Sequence, residues 1–292
     1  MPTSIENPAD YMAWRDAKLA GYPRSASDIR VAIADLASPT SAERAAVVDR
    51  CRRCGMAIYE SSSAGIGPDA RARLRRFAAT FGLGDIEDHR SAGSDGIVAI
   101  EVTEQDGKRG FIPYTNRPLN WHTDGYYNAP DDAIRAMILH CVRPARSGGE
   151  NALLDPEILY IRLRDHDPAL AAAMMHPEAM TIPESVEEDG RTRPTSTGPV
   201  FAFDAAGKLT TRYTARTRNV VWRDDSDTRA AVAFIDQLLA KEKEPLILKY
   251  TLAAGEGLIS NNVLHTRTAF ENAAGAERLL LRGRYARRIS GT

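Results

Sequence analysis

The segment YTNRPLNWHTDGYYN, residues 114–128, places a histidine and an aspartate one residue apart among aromatic side chains. In a β-strand, residues i and i+2 project from the same face, so a strand here would aim the His122 imidazole and the Asp124 carboxylate at one point. Both groups are metal ligands, but two ligands hold an ion weakly and a third must come from elsewhere. On its own, the tripeptide fits a surface turn better than half of a metal site.

His265, in NNVLHTRTAF, is the best candidate for the third ligand, because it follows a strand-like run and enters a loop. His89, His166 and His176 have the polar or helical surroundings typical of surface residues. His140, in MILHCV, suits a core or interstrand position. The long gap between the two ligand segments suits a double-stranded β-helix barrel, in which an early and a late strand supply the ligands. Two histidines and one carboxylate leave three positions of an octahedral ion open, as in non-haem Fe(II) oxygenases.

The segment ERLLLRGRYARR adds cations to this set, and Arg278 lies 13 residues after His265. A guanidinium can bind a carboxylate through two parallel hydrogen bonds, which is what a 2-oxoacid co-substrate needs at its far end. The alternative is an edge strand with solvated arginines, which suits Arg287 and Arg288 better than Arg278.

Composition bounds the class of protein. The 292 residues are 43% hydrophobic and 26% charged, which predicts a water-soluble globular protein with one sizeable core. Lys+Arg is 38 and Asp+Glu is 39, so the net charge of −1 disfavours a nucleic-acid or membrane partner and favours a small-molecule substrate. The N-terminus lacks the pattern of a signal peptide, and no apolar run is long enough to span a membrane, so we expect a cytoplasmic protein. A homo-oligomer, such as a dimer, stays open.

The coarse pattern predicts a mainly β protein with flanking helices, organised as a single domain of residues 1–292. Residues 1–55 form a helical N-terminal segment, in which SAERAAVVDRCRRCG predicts a helix with Ser41 as its N-cap and Gly55 as its C′ residue. MAIYE predicts a strand, and GPDARARLRRFAATFGL predicts a helix that begins at Pro68 and ends at Gly82. From about 97 to 288, short runs of strand-forming residues predict a sandwich or barrel core, with helical insertions at DPEILYIRLRD and DTRAAVAFIDQLLAKEK. The long polar loop 184–199 is typical of a lid or a disordered segment.

Cysteine adds no convincing site. CRRC contains Cys51 and Cys54 as a lone CxxC, and a zinc site would need a second pair, which three cysteines cannot supply. Two thiols three residues apart on a helix are more often ordinary helix residues than a redox or metal pair.

Four motifs, in this order, resemble the Fe(II)/2-oxoglutarate-dependent oxygenases of the TauD/TfdA superfamily, and within it the γ-butyrobetaine/trimethyllysine hydroxylase-like branch. They are YTNRPLNWHTDG, ILHCVRPARSGGENALLD, NNVLHTRTAF and RLLLRGRY. The resemblance covers roughly residues 97–288 and implies a double-stranded β-helix barrel, the jelly-roll or cupin-like fold. It implies iron held by His122, Asp124 and His265.

The same resemblance assigns residues to the co-substrate. It implies that Arg278 binds the distal carboxylate of 2-oxoglutarate. Asn151 stands where the superfamily often has a threonine that contacts 2-oxoglutarate, and its amide can also donate a hydrogen bond. Arg282 matches a second arginine that some members direct at substrate or co-substrate.

The implied reaction consumes Fe(II)-bound 2-oxoglutarate and O2, releases succinate and CO2, and hydroxylates an unactivated C–H bond. Because Asp124 is a carboxylate rather than the small residue of related halogenases, hydroxylation is the default, although desaturation and ring closure use the same ligands. The alternative is a non-catalytic cupin-like metal-binding protein or a metal-dependent isomerase on the same barrel. Those proteins share the ligand cluster but do not need an arginine on the last strand.

The branch also implies an aromatic cage around a quaternary ammonium group, because a cation is attracted to the face of an aromatic ring. Tyr114, eight residues before His122, and Tyr285 on the last strand match cage positions, although Tyr285 is one residue out of step. An amino-acid-like substrate would instead place its carboxylate on Arg212 or Arg216. The substrate expected is therefore a small polar metabolite, zwitterionic or cationic. The further aromatic candidates are Trp121, Tyr126, Tyr127 and Tyr213.

Overall fold

A computed structural model describes residues 8–61, 69–87, 94–104, 111–186, 190, 192–240 and 245–292. None of the helices in these ranges is both long enough and apolar enough to cross a membrane. The α-helices of the described ranges are α1 (Pro8–Gly21), α2 (Ser41–Cys54), α3 (Ala70–Ala79), α4 (Pro156–His166), α5 (Pro168–Met174) and α6 (Ser226–Leu239). Short 3-10 helices occupy Ala26–Ile29, Ile112–Tyr114 and Pro130–Asp132.

Most strands are short and separated by turns. In chain order they are β1 (Arg30–Ala32), β2 (Met56–Glu60), β3 (Val98–Ile100), β4 (Leu119–His122), β5 (Ala136–Arg143), β6 (Ser147–Gly148), β7 (Asn151–Leu154), β8 (Met180–Ile182), β9 (Ser185–Val186), β10 (Thr192–Arg193), β11 (Ser196–Gly198), β12 (Phe201–Phe203), β13 (Leu209–Thr211), β14 (Val221–Trp222), β15 (Leu248–Tyr250), β16 (Glu256–Ser260), β17 (Leu264–Arg267), β18 (Phe270–Glu271) and β19 (Leu279–Tyr285).

Two larger sheets form the barrel. One has the strand order β1-β2-β16-β5-β19-β3, and the other has the order β15-β7-β17-β4. Neighbours that are distant in sequence, such as β5 and β19 or β4 and β17, pair antiparallel. Met137 of β5 and Leu264 of β17 belong to one buried core shared by the two sheets. The expected jelly-roll, cupin-like fold with flanking helices is confirmed.

The six-stranded sheet is buried on both faces, and the alternation of side chains along β19 shows this. Leu280 packs in the main core between the sheets. Leu281 and Tyr285 pack instead in a second core on the other face. Val47 of α2 and Phe77 of α3 cover that second core. Every second residue of β19 therefore faces the interior of the barrel.

Local sequence explains where α2 begins and ends. Thr40, one residue before the expected cap, is the N-cap: its hydroxyl accepts from the Glu43 amide at 3.2 Å, and the Glu43 carboxylate accepts from the Thr40 amide at 2.6 Å. This reciprocal pair satisfies two amides of the first turn. The helix ends at Gly55, whose φ of 74° is a left-handed conformation that glycine adopts without a steric penalty.

The N-terminal helix α1 is fastened to α4. The ammonium group of Lys18 lies 2.6 Å from a carboxylate oxygen of Asp155 and 2.6 Å from one of Glu157, and all three side chains are almost fully buried. Asp155 also caps α4 by accepting from the Glu157 amide. A break at Asp167, which caps α5, separates α4 from α5 because Pro168 cannot continue the earlier helix. DPEILYIRLRD is therefore a helix, as expected, and a second helix follows it.

Candidate metal centre

Two neighbouring strands bring the three predicted ligands together. His122 is the last residue of β4, and its direct partner in the antiparallel pairing is His265 of β17. The two imidazole rings are 4.2 Å apart between centroids. Asp124 lies in the turn two residues beyond His122. One ligand atom from each of the three residues falls within 4.8 Å of the other two, and all three side chains are buried.

Hydrogen bonds leave the correct atoms available for an ion. The Nδ1 atom of His122 lies 2.8 Å from the carbonyl of Asn120, and that of His265 lies 3.0 Å from the carbonyl of Val263. A carbonyl only accepts, so each Nδ1 carries the hydrogen and each Nε2 keeps its lone pair. Burial, together with the neighbouring His265, lowers the pKa of His122 to about 3, so its ring is neutral. These are the conditions that a metal-binding imidazole requires.

The carboxylate of Asp124 is bonded through only one of its oxygens. Arg282 donates to Oδ1 at 3.0 Å, and Arg284 approaches the same oxygen at 3.6 Å. Oδ2 is buried and has no hydrogen-bond partner in the described part of the chain. Burial opposes the charged form, but the two guanidinium groups outweigh it and hold the pKa of Asp124 well below its usual range. An ionised, unpartnered oxygen beside two imidazole lone pairs fits a divalent cation.

Two of the residues that support Asp124 were not singled out for this purpose from the sequence. The side chain of Asn262 accepts from the Asp124 amide at 2.8 Å and donates to the Asp124 carbonyl at 3.0 Å, so it fixes the turn. Asn262 has a φ of 55°, a conformation that asparagine tolerates better than most residues. Arg284 also pairs with Glu87 and donates to the Tyr127 hydroxyl at 3.0 Å. The one sequence signal for Asn262 was the Asn-Asn pair that interrupts the strand-like run GLISNNVLH.

A cavity beside the two histidines contains the three residues assigned to 2-oxoglutarate. Arg278, Asn151 and Arg282 line it together with Arg267, which sequence reasoning missed. Arg278 is only 5% exposed, and burial lowers its pKa to about 10. Asn151 is the first residue of β7, where its amide donates to the Tyr250 carbonyl at 3.3 Å. Because the sequence assigns three of its residues to 2-oxoglutarate, we call this cavity the co-substrate pocket. Its remaining lining is Ile100, Pro113, Leu119, Met137, Leu139 and Leu280.

A second group of side chains lies beside His122 but does not line that pocket. The ring of Tyr126 is 6.3 Å from the His122 ring, and the ring of Tyr127 is 5.2 Å from that of Tyr126. The guanidinium carbon of Arg216 lies 5.9 Å from the centre of the Tyr126 ring, and that of Arg193 lies 5.7 Å from the Tyr127 ring. We call Tyr126, Tyr127, Arg193 and Arg216 the tyrosine–arginine patch.

Three residues expected to contact the substrate lie elsewhere. Tyr285 projects from the face of β19 that meets the second core, away from the ligands, so its expected cage role is wrong. Tyr213 is fully buried, and its hydroxyl donates to Asp236 of α6 at 3.3 Å. The guanidinium of Arg212 donates to the carbonyls of Met180 and Ser196 at 3.0 and 2.8 Å and is 8% exposed, so it cannot meet a substrate carboxylate.

The other aromatic and histidine candidates are also placed. Tyr114 is buried in the main core next to Pro113 of the co-substrate pocket, and Trp121 packs against the same core. His166 is exposed and stacks on Phe234, in agreement with a surface position. His140 is buried beside Tyr59, as expected for a core histidine. His89 lies outside the described residues, as do residues 187–189 and 191 of the loop 184–199.

Comparison with known sequences identifies relatives of the chain. A sequence model of the "Taurine catabolism dioxygenase TauD, TfdA family" matches residues 25–284. A uridine-5′-phosphate dioxygenase from Amycolatopsis sp is 29% identical over 257 residues, covering 82% of this chain and 88% of the relative. A protein of the same name from Streptomyces sp is 29% identical over 189 residues, covering 62% of this chain and 66% of that protein.

Solved structures share the fold at low sequence identity. The non-heme iron oxygenase OrfP, crystallised with Fe and alpha-ketoglutaric acid, has a TM-score of 0.60 at 15% identity, covering 96% of this chain and 92% of OrfP. A taurine dioxygenase from Burkholderia xenovorans has a TM-score of 0.58 at 15% identity, covering 90% of this chain and 89% of the other. An asparagine oxygenase in complex with Fe(II), hydroxyasparagine and succinate has a TM-score of 0.57 at 14% identity, with coverage of 96% and 92%.

Proposed function

We propose that this chain, which belongs to the taurine catabolism dioxygenase TauD, TfdA family, hydroxylates a nucleoside 5′-monophosphate. The chain is a 2-oxoglutarate-dependent dioxygenase, and its cofactors are Fe(II), 2-oxoglutarate and O2. Family membership excludes the alternative of a non-oxygenase cupin-like protein or an isomerase. The nature of the oxidised substrate is our proposal, and the observations below support it.

His122, Asp124 and His265 would hold the iron through their two Nε2 atoms and Oδ2. Iron held there supplies the oxidising power for C–H hydroxylation, which is coupled to the conversion of 2-oxoglutarate and O2 into succinate and CO2. The protein itself provides fixed ligand tautomers, an ionised carboxylate and a buried pocket that keeps water away from the co-substrate. Arg278, Asn151 and Arg282 would hold 2-oxoglutarate.

The tyrosine–arginine patch carries the proposal for the substrate. It presents two aromatic rings with a guanidinium group near each, and the Tyr126 ring lies beside His122. Arg216 makes no ion pair with any described residue. Guanidinium groups are well matched to phosphate oxygens, and tyrosine rings offer faces on which a nucleobase can stack. The two relatives are named as dioxygenases of uridine 5′-phosphate, a ligand with these two features.

The patch fits a cationic substrate poorly. Arg216 already lies over the Tyr126 ring, and both Arg193 and Arg284 lie within 6 Å of the Tyr127 ring. A quaternary ammonium group beside either ring would be repelled by the positive charges of these guanidinium groups. Since Tyr285 and Tyr213 also lie elsewhere, the cage expected for a γ-butyrobetaine/trimethyllysine hydroxylase-like enzyme is reduced to Tyr114. We therefore favour an anionic substrate over the zwitterionic or cationic metabolite expected from the sequence.

Substrate-stimulated succinate release tests the proposal. The panel contains uridine 5′-phosphate, the other nucleoside 5′-monophosphates, uridine, γ-butyrobetaine, trimethyllysine and free amino acids, each with Fe(II), 2-oxoglutarate and O2. We expect strong stimulation by at least one monophosphate and at least about tenfold less by its nucleoside, because the phosphate makes charge-assisted hydrogen bonds. Stimulation by betaines or amino acids alone would exclude a nucleotide substrate and restore the cationic or zwitterionic alternative.

A further inference from the structure

We propose that Arg267 is a second guanidinium for the distal carboxylate of 2-oxoglutarate and acts together with Arg278. The proposal concerns the co-substrate alone and does not depend on which molecule is oxidised. It rests on the position of Arg267 in the co-substrate pocket, on its contact with a ring that it shares with Arg278, and on its unsatisfied hydrogen-bond donor.

The position follows from strand periodicity. Arg267 lies two residues after His265 on β17, so its side chain leaves the strand on the same face as the ligand. Its partner in the neighbouring strand is Asn151, the amide assigned to 2-oxoglutarate. Arg267, Asn151 and Arg278 all line the co-substrate pocket. Three groups able to donate hydrogen bonds therefore face one small space next to the metal ligands.

One aromatic ring holds both guanidinium groups. The guanidinium carbon of Arg267 lies 4.8 Å from the centre of the Phe270 ring, and that of Arg278 lies 4.9 Å from it. Both arginines are 5% exposed. A ring face attracts a cation, so Phe270 partly compensates for the removal of the two groups from water. It also restricts how each guanidinium plane can turn.

The charge balance of the pocket requires an anion. Within the described residues, no carboxylate lies within ion-pair distance of either Arg267 or Arg278. Burial, together with the nearby charge of Arg278, lowers the pKa of Arg267 to about 10. Two buried cations without a counter-ion are unfavourable, and a bound carboxylate relieves both the repulsion and the loss of hydration.

Arg267 has a donor left for that carboxylate. One terminal nitrogen donates to the carbonyl of Thr115 at 2.9 Å and also to that of Arg117, which holds the side chain in place. Its Nε is buried and has no acceptor in the described part of the chain. A buried N–H group without a partner is costly, so an acceptor is expected there when the pocket is filled. The consequence is selection for co-substrates that carry a carboxylate at the far end.

The competing explanation is that Arg267 only fastens the loop around Thr115 and Arg117, which leads into β4. In that case its loss would disturb the ligand strand and weaken every ligand of the site equally. A role with the distal carboxylate instead predicts a change that depends on that carboxylate. The two explanations are separated by comparing 2-oxoglutarate with 2-oxopentanoate, which keeps the same chain length and the 2-oxo acid end but lacks the distal carboxylate.

The test measures binding by isothermal titration to the Mn(II)-loaded protein without O2, so it needs neither turnover nor the oxidised substrate. Arg267→Met keeps the bulk of the side chain and removes the guanidinium. We expect the preference for 2-oxoglutarate over 2-oxopentanoate to fall at least about tenfold, with Mn(II) affinity and 2-oxopentanoate binding unchanged. Arg278→Met serves as the positive reference. Arg117→Met, which removes an exposed arginine from the adjoining loop, should leave the preference within about twofold of the native protein.

An equal loss for both 2-oxoacids would assign Arg267 to the loop alone and overturn the proposal. An unchanged preference would leave Arg278 as the sole partner of the carboxylate and would overturn it as well. If Arg267→Met does not fold, Arg267→Lys is measured in its place: lysine keeps the charge but lacks Nε–H and the fork geometry. A preference reduced by at least about threefold in that variant supports the proposal, and an unreduced one rejects it.

Discussion

On one side of the metal cluster, the groups of the co-substrate pocket stand on or next to the strands β7, β17 and β19. The tyrosine–arginine patch, by contrast, stands on a turn, on a loop and on the two-residue strand β10. Asn151, Arg267 and Arg278 are fixed by strand pairing and burial, whereas Arg216 is exposed. Sheet register therefore sets the geometry of the part that we assign to 2-oxoglutarate. The part that we assign to the oxidised substrate depends on loops, which can change without disturbing the sheets.

The largest effect is expected from the loss of the metal, because both sides of the site depend on it. His265→Ala removes one of the two imidazole ligands, so the bound Fe(II) should fall from about one per chain to near zero. Measurement of metal content and of Mn(II) affinity checks this, with circular dichroism to confirm the fold. His166→Ala, at an exposed histidine on α4, is the matched control and should retain a full complement of iron. Full iron in His265→Ala would exclude that residue as a ligand.

A second variant breaks the co-substrate side alone. Arg278→Met removes the guanidinium expected to bind the distal carboxylate, and the dissociation constant of 2-oxoglutarate should rise at least about tenfold, corresponding to about 1.5 to 3 kcal/mol for hydrogen bonds to a charged group. Titration of the Mn(II)-loaded protein measures this, and Mn(II) affinity itself should not change. Should 2-oxoglutarate bind as before, the role would pass to Arg267 or Arg282, which line the same pocket.

A third variant breaks the substrate side alone. Arg216→Ala removes an exposed guanidinium from the tyrosine–arginine patch, so the half-saturating concentration of a nucleoside 5′-monophosphate should rise by about threefold to tenfold. The effect should shrink as salt is added, because solvent-exposed charges are screened. Affinity for 2-oxoglutarate should stay the same. Arg146→Ala removes another exposed arginine, distant from Arg216 in the sequence, and controls for the change in net charge. An equal effect of Arg146→Ala would contradict a local role of Arg216.

The contrast between the two sides also explains what the sequence could predict. Four residues lie on strands or directly beside them: His122, Asp124, His265 and Arg278. There, side chains alternate between the two faces with a period of two residues, and an early strand pairs with a late one, so sequence spacing predicts geometry. The same rule explains an error. Tyr285 is one residue out of step with the cage position of the γ-butyrobetaine/trimethyllysine hydroxylase-like branch. On a strand, a shift of one residue moves a side chain from the barrel interior to the second core, where Tyr285 lies.

Other residues could not be placed from the sequence because their roles depend on long-range contacts. Arg212 is an arginine beside a tyrosine in the sequence, yet carbonyls of Met180 and Ser196, distant in the chain, occupy its donors. Asn262 holds the turn at Asp124 across 138 residues. The helix α1 and the strand β1 were not delimited either, since pairing with other segments, rather than their own short patterns, supports them.

The smallest effect is expected at the cysteine pair, which belongs to neither side of the site. Cys51 and Cys54 are buried on α2, and burial raises the pKa of the Cys54 thiol to about 12 and that of Cys51 well above its usual value. Metal binding and redox exchange both use the thiolate, which burial disfavours at these two positions. Cys54 Sγ lies 3.3 Å from the carbonyls of Arg50 and Met56, as a thiol that donates within its own segment.

The variant with Cys51→Ser and Cys54→Ser should therefore keep its iron content and its rate of succinate release. Its free energy of unfolding should fall by about 1 to 3 kcal/mol, because hydroxyls replace buried thiols. Metal analysis, turnover and urea denaturation check the three quantities. Iron or turnover lost from a variant that remains folded would give this CxxC pair a part in the site after all.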